Sequence, residues 1–250
     1  MNIPTRPHID FDIPRSPSRA AKLAETKIGG APFRPVGLPW PEFEGEPAQF
    51  VLQINLAEVA AFCLDNFIPE LLPGLPERGL LQVFGRMHYS DQYVVEYVPN
   101  LDVPHQPPVQ AVNGGRRGDE TIFLPEDDTL NRQWETLVLE YPLYPLPMRI
   151  SASSRLPMQP HPWDHEVPAK LRDSYENDDS LIHGGHRLGG CASLWNEDPR
   201  PVDKLDRLLL QFGSEGPLLP ANDALIRLYI AEEDLRAGKF DKVWCYEDRD

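Results

Sequence analysis

The chain has 250 residues, with 39 acidic and 24 basic side chains and a formal charge of −15. Such a charge repels nucleic-acid phosphates and anionic lipid, so neither nucleic acid nor membrane is an expected partner; it suits solubility or the capture of a basic protein. Hydrophobic residues at 41% can fill a core, while 28 prolines, about twice the common usage, exclude a helix bundle in favour of short elements and ordered Pro-rich loops.

Cys63, Cys191 and Cys245 are far apart and form no C-x-x-C, so no disulfide framework is expected. The opening "MNIPTRPHIDFDIPR" has no apolar signal core, no apolar run approaches the ~18 residues of a membrane span, and the expected location is the cytoplasm.

In chain order, Ser16 and Pro17 suit a helix start, with Ala20, Ala21, Leu23 and Ala24 at helical spacing and an end before Gly29. "QFVLQI" from Gln49 reads as a buried strand, and Asn55 caps a short helix with Glu58 in the N3 position of a capping box. "GLLQVF" from Gly79 and "QYVVEYV" from Gln92 are strands rich in apolar, β-branched and aromatic residues. "VNGGRRGD" from Val112 is a loop, with a short strand near Ile122 and a half-buried strand "ETLVLEY" from Glu135. "YPLYPLP" cannot be a central strand, residues 151–168 read as a long loop, and a helix follows from Pro168 to about Glu176. "RLLLQF" from Arg207, "ALIRLYI" from Ala224 and "KVWCY" at the end are strands, with the short helix "AEEDLRAG" stopping at Gly238. Strands outnumber helices without βαβ alternation, which predicts an α+β fold of mainly antiparallel sheets with short helices, in a single compact domain over 1–250.

One pattern recurs. "KIGG" at 27–30 precedes "FVLQI" with Gln53, and "HRLGG" at 186–190 precedes "LLLQF" with Gln211, each followed by a second apolar strand. The pattern predicts an internal duplication, with related halves at about 16–150 and 151–250. The glycine pairs then read as structural joints, since glycine tolerates positive φ and close backbone approach.

An ordered series of segments carries a family resemblance: "KIGGAPFRPVGLPWP", "FVLQINLAEV", "LPERGLLQVF", "HRLGGCASLWNEDPR", "LLLQFGSE" and "LYIAEEDLRAGKFDKV". The series resembles the YwqG-like bacterial proteins, a family grouped as a domain of unknown function. Two departures stand out: the family's Trp-Gly-Asp-x-Gly run is "LPANDA" here, keeping only Asp223, and the tail is "VWCYEDRD". The resemblance implies a fold and no activity; some members are thought to sit among toxin–antitoxin genes, which implies immunity-like binding to a toxin.

Chemical motifs are sparse. His161, His165, His183 and His186 lie near Cys191 in sequence, yet prolines flank His161 and there is no H-E-x-x-H, so loop histidines are the better reading than a metal site. The "HGG" run lacks a G-x-S-x-G elbow, and no phosphate-binding glycine motif opens a helix. The residues point away from an enzyme, with no cofactor and no assigned catalytic residue. The expectation is a noncatalytic binding or interaction module for a protein partner or small ligand; the sequence sets no oligomeric state. A tentative groove collects Arg34 and Trp40 from one half and Arg187, Trp195, Asp198 and Arg200 from the other, since Trp and Arg are enriched at binding hot spots. The alternative is a metal-assisted hydrolase built on His183 and His186, with Asp198.

Overall fold

Runs of β-branched, aliphatic and aromatic residues make this chain a sheet protein. The computed structural model describes residues 5–12, 21–28, 31–68, 70–85, 92–105, 146–147, 149–151, 158–160, 186–190, 192, 199–200, 206–213 and 224–249. Its strands in chain order are β1 (Thr5–Asp12), β2 (Lys27–Ile28), β3 (Glu42–Phe43), β4 (Glu46–Pro47), β5 (Gln49–Asn55), β6 (Leu80–Gly85), β7 (Tyr93–Val98), β8 (Leu146–Pro147), β9 (Arg149–Ser151), β10 (Met158–Pro160), β11 (His186–Gly189), β12 (Arg207–Gly213), β13 (Ala224–Ile230) and β14 (Trp244–Arg249). Helices among the described residues are α1 (Leu56–Asp65), α2 (Glu232–Arg236) and a 3-10 turn, Phe240–Lys242. None of them is long and apolar enough to cross a membrane.

A five-stranded sheet has the order β7-β6-β5-β2-β8, and a seven-stranded sheet runs β10-β1-β11-β12-β13-β14 with β9 also pairing β1. Every strand pairing recorded is antiparallel, in agreement with the mainly antiparallel character expected from the sequence. The proline-bearing β8 lies at a sheet edge, where a missing N–H costs no ladder bond. One buried apolar cluster joins the sheets: Leu52, Ile54, Leu81, Val83 and Val95 come from the first, and Ile9, Phe11, Leu188, Leu210, Phe212, Ile226 and Leu228 from the second. Tyr93 meets Phe212 edge-on at 5.5 Å between ring centroids, so the two core faces touch. The alternate residues of β5, β6, β11, β12 and β13 therefore point outward, away from the shared core.

Two glycines mark forced positions. Gly79 enters β6 at φ +89°, and a Cβ there would lie 2.5 Å from the Val98 carbonyl oxygen. Gly189 ends β11 at φ +74°, 3.2 Å from the Pro7 carbonyl by the same measure. Both need the left-handed backbone and the missing side chain.

Several expectations need correction. The helix expected from Ser16 does not reach the described residues 21–28, which form a turn and then β2. Side chains from the sheet and the cap take its carbonyls: Gln53 Nε2 donates to Leu23 and Glu25, and Asn55 Nδ2 donates to Ala24. Those acceptors would otherwise serve an i+4 helix ladder. The loop expected over 151–168 begins with the end of β9 and contains β10, which pairs with Thr5–Pro7. The capping box is also split. Asn55 accepts from the Ala57 N–H as expected, but the Asn55 N–H goes to Thr26 Oγ1, and Glu58 accepts from the Thr26 N–H. The strands expected near Ile122 and from Glu135, the loop at Val112 and the helix from Pro168 lie outside the described residues.

Candidate functional site

The outward face of the five-stranded sheet carries a polar row. Lys27, Gln53, Gln82 and Glu96 stand side by side on β2, β5, β6 and β7. The loop after β2 folds over this row. Gln53 Oε1 accepts from the Phe33 N–H at 3.1 Å and from Gln82 Nε2 at 3.0 Å. Gln82 Nε2 also donates to the Phe33 carbonyl at 2.7 Å. Each glutamine thus reads both the loop backbone and its neighbour, which two buried amides can do without a charge.

Arg34 arrives on the same loop and is 3% exposed. Its guanidinium donates to Gln82 Oε1 at 3.1 Å, to the Glu96 carboxylate and to the Pro39 carbonyl. It also lies over the Phe84 ring at 5.3 Å and the Trp40 ring at 5.6 Å. The Trp40 indole N–H donates to the Ala48 carbonyl at 2.7 Å. At the other end of the row, the Lys27 ammonium donates to the carbonyls of Leu23 at 2.8 Å, Ala31 at 2.7 Å and Lys22 at 3.3 Å. Burial pulls its pKa down to about 8, with Glu25 opposing. These hydrogen bonds clamp the loop to the sheet.

The seven-stranded sheet has a row in the matching register. Asp10, Arg187, Gln211, Arg227 and Tyr246 are successive neighbours on β1, β11, β12, β13 and β14. Gln53 faces Lys27 and Gln82; Gln211 faces Arg187 and Arg227. A register irregularity passes over Val51 in β5 and over Leu209 in β12, two residues ahead of the glutamine in each case. Phe84 sits between Phe50 and Val94, as Tyr229 sits between Leu208 and Trp244. Arg34 lies over Phe84, and Arg200 lies over Tyr229 at 5.5 Å. Both arginines open an Arg-Pro-Val triplet, at 34–36 and 200–202, a repeat the sequence reading overlooked. Arg200 also donates to the Asp206 carbonyl at 3.1 Å, while the Trp244 indole donates to the Asp206 carboxylate and its ring stacks on Tyr229 at 4.7 Å.

The four described residues of the expected groove, Arg34, Trp40, Arg187 and Arg200, are placed in two groups. Arg34 and Trp40 share the outward face of the five-stranded sheet. Arg187 and Arg200 share the outward face of the seven-stranded sheet, where Arg187 Nε is 3.8 Å from Asp10 Oδ1. The shared core lies between the two groups, so the structure does not bring them together. Trp195, Asp198 and His183, with His161, His165 and Cys191, lie outside the described residues. His186 is buried on β11 opposite Phe11, on the core side. Among the described residues no three His, Cys, Asp or Glu side chains gather as a metal site. Cys63 is a free thiol, and burial pushes its pKa up, away from thiolate reactivity.

The family model described as a domain of unknown function, DUF1963, matches residues 26–248. No curated protein matches the chain.

Proposed function

This chain belongs to the DUF1963 domain-of-unknown-function family, and from that premise we propose that it is a noncatalytic interaction module, YwqG-like in its finer kinship, built from a duplicated α+β unit. The observation that carries the reading is the matched polar row. In the five-stranded sheet, Gln53, Gln82 and Lys27 bond the backbone of the loop that covers them, and Arg34 of that loop bonds Gln82 in return. Groups committed in this way hold a fold together; a catalytic acid, base or nucleophile needs a free face toward substrate. Arg34, lying over Phe84, and Arg200, lying over Tyr229, are then the matched arginines of two copies of one structural clamp; a binding role for Arg34, Trp40, Arg187, Trp195, Asp198 and Arg200 stays part of the proposal. Binding falls to the exposed surface. The acidic charge of −15 favours a basic protein partner, in an immunity-like role in the bacterial cytoplasm and without a cofactor.

The test is elemental analysis of the purified chain, followed by calorimetric titration with the polypeptides encoded beside its gene. A stoichiometric complex without bound metal is the expected result. Stoichiometric zinc or iron together with hydrolysis of ester or phosphoester substrates would replace this reading with the hydrolase built on His183 and His186.

A further inference from the structure

Helix α1 ends in a way that costs the free chain. Its last turns close with the Ile68 N–H on the Cys63 carbonyl at 2.9 Å and the Phe67 N–H on the Leu64 carbonyl at 3.3 Å. This pair of bonds is a Schellman ending, in which the residue after the cap takes the left-handed conformation and is usually glycine. Here that residue is Phe67, at φ +55°. Of the non-glycine residues described, only it and Glu44 have positive φ, and Glu44 belongs to the two-residue turn between β3 and β4. The strain at Phe67 obtains no burial in return: its side chain is 94% exposed, and Leu64 beside it is 77% exposed.

The charge around this tip is one-sided. Asp65 and Glu70 are exposed on either side of Phe67 in the chain. The last turn of α1 has no basic residue, although the helix C-terminus already carries partial negative charge. A strained backbone, a solvated phenyl ring and two exposed carboxylates beside a helix C-terminus whose last turn has no basic residue all oppose the stability of the free chain. Together they match a surface that contributes apolar contact and positive charge.

We propose that Phe67 and Leu64, flanked by Asp65 and Glu70, form a docking knob for a basic protein partner that offers an apolar pocket rimmed by Lys or Arg. The proposal rests on the interaction-module reading and assigns that module its contact surface. The acidic flanks select against a second copy of this chain, since like charges would meet at the contact.

The probe is a fluorescently labelled amphipathic peptide with lysines on one helix face and leucines on the other, titrated by anisotropy into the full chain. Wild type is expected to bind it with an affinity that falls as salt rises. Phe67→Gly is expected to bind about tenfold or more weakly, from the lost burial of one phenyl ring. The same variant is expected to melt about 2–5 °C higher, because glycine relieves the left-handed strain. Asp65→Asn with Glu70→Gln is expected to weaken binding and flatten its salt dependence. No binding by wild type, or unchanged binding by Phe67→Gly, overturns the proposal. So does Phe67-dependent dimerisation in sedimentation, which would make the occupant a second copy, or Phe67-dependent binding to uncharged lipid vesicles in place of the peptide. If Phe67→Gly still forms the complex with a polypeptide encoded beside the gene, this surface is wrong and the interaction module stands; if no such polypeptide binds wild type, that reading fails.

Discussion

Gln53 and Gln211 occupy the same place in the two sheets: each stands in register with the basic residue that precedes a Gly-Gly pair, Lys27 for one and Arg187 for the other. Each is fully buried in a central strand. A buried amide is expensive unless its donor and acceptor atoms are paired. Gln53 meets that demand by bonding two carbonyls, one backbone N–H and the Gln82 amide.

Gln53→Leu keeps similar volume and removes those bonds. The Phe33 N–H loses its acceptor, and the carbonyls of Leu23 and Glu25 lose a buried donor. The expected cost is about 3 kcal/mol or more. Under the proposed duplication, Gln211→Leu costs a comparable amount. Urea unfolding of both variants measures this; a Gln53→Leu midpoint equal to wild type would remove the structural role given to the row.

Arg34 and Glu96 form an ion pair at one end of the same row. Arg34→Met leaves the Pro39 carbonyl and Gln82 Oε1 without their guanidinium donor and removes the cation over Trp40 and Phe84. A loss of about 3 kcal/mol is expected. Arg34→Lys recovers only part of it, because one ammonium cannot reproduce the planar fork. The Glu96 side chain is 25% exposed, so water partly replaces its partner and Glu96→Gln costs less, about 1 kcal/mol. The double variant should cost about 1–2 kcal/mol less than the sum of the two singles. Additive losses in the urea cycle would show that the two groups do not interact.

The helix cap predicts separable effects. Asn55→Ala removes the acceptor for the Ala57 N–H and the donor to Ala24, at about 1–2 kcal/mol. Glu58→Ala removes the acceptor for the Thr26 N–H and should cost about 1 kcal/mol or less. Amide hydrogen exchange distinguishes them: Ala57 loses protection in the first variant, and Thr26 in the second. Loss at the Asn55 N–H in place of Thr26 on Glu58→Ala would restore the ordinary capping box that the sequence suggested.

The strands were the legible part of this fold. "FVLQI", "LLQVF" and "YVVEY" combine apolar, β-branched and aromatic residues, and such runs state burial and extension locally. Strand β1 was legible and overlooked: Ile9 and Phe11 alternate with His8 and Asp10, which is a strand period hidden in a terminus read only for signals. The helix expected from Ser16 does not extend over residues 21–28 for a reason outside its own window. Gln53 and Asn55, about 30 residues downstream, claim the carbonyls of Leu23, Ala24 and Glu25. Of the expected groove residues that are described, Arg34 and Trp40 lie on one sheet and Arg187 and Arg200 on the other, with the apolar core between them. The proline-rich surroundings of Arg34 and Trp40 give no period from which burial under the loop can be read, whereas the repeated Arg-Pro-Val pairs Arg34 with Arg200.

Lys27 gives the last prediction, a pH dependence. It is 1% exposed, and burial lowers its pKa from 10.5 to about 8, against the pull of Glu25. Between those values the unfolded chain holds a proton that the folded chain has released. Unfolding then takes up protons, so the Lys27 contribution to stability rises as pH climbs from about 8 to 10.5 and is smallest below 8. The rise is limited to about 3 kcal/mol by the size of the shift. Other groups act in the opposite direction. Burial raises the pKa of Cys63 and Tyr97, which keeps them protonated in the folded chain while the unfolded chain ionises, so stability falls with pH at those sites. Comparison with Lys27→Met cancels both. The unfolding free energy of wild type, minus that of Lys27→Met, should grow between pH 8 and 10 in parallel urea titrations. A constant difference would mean that the three carbonyls hold the ammonium as well as water does.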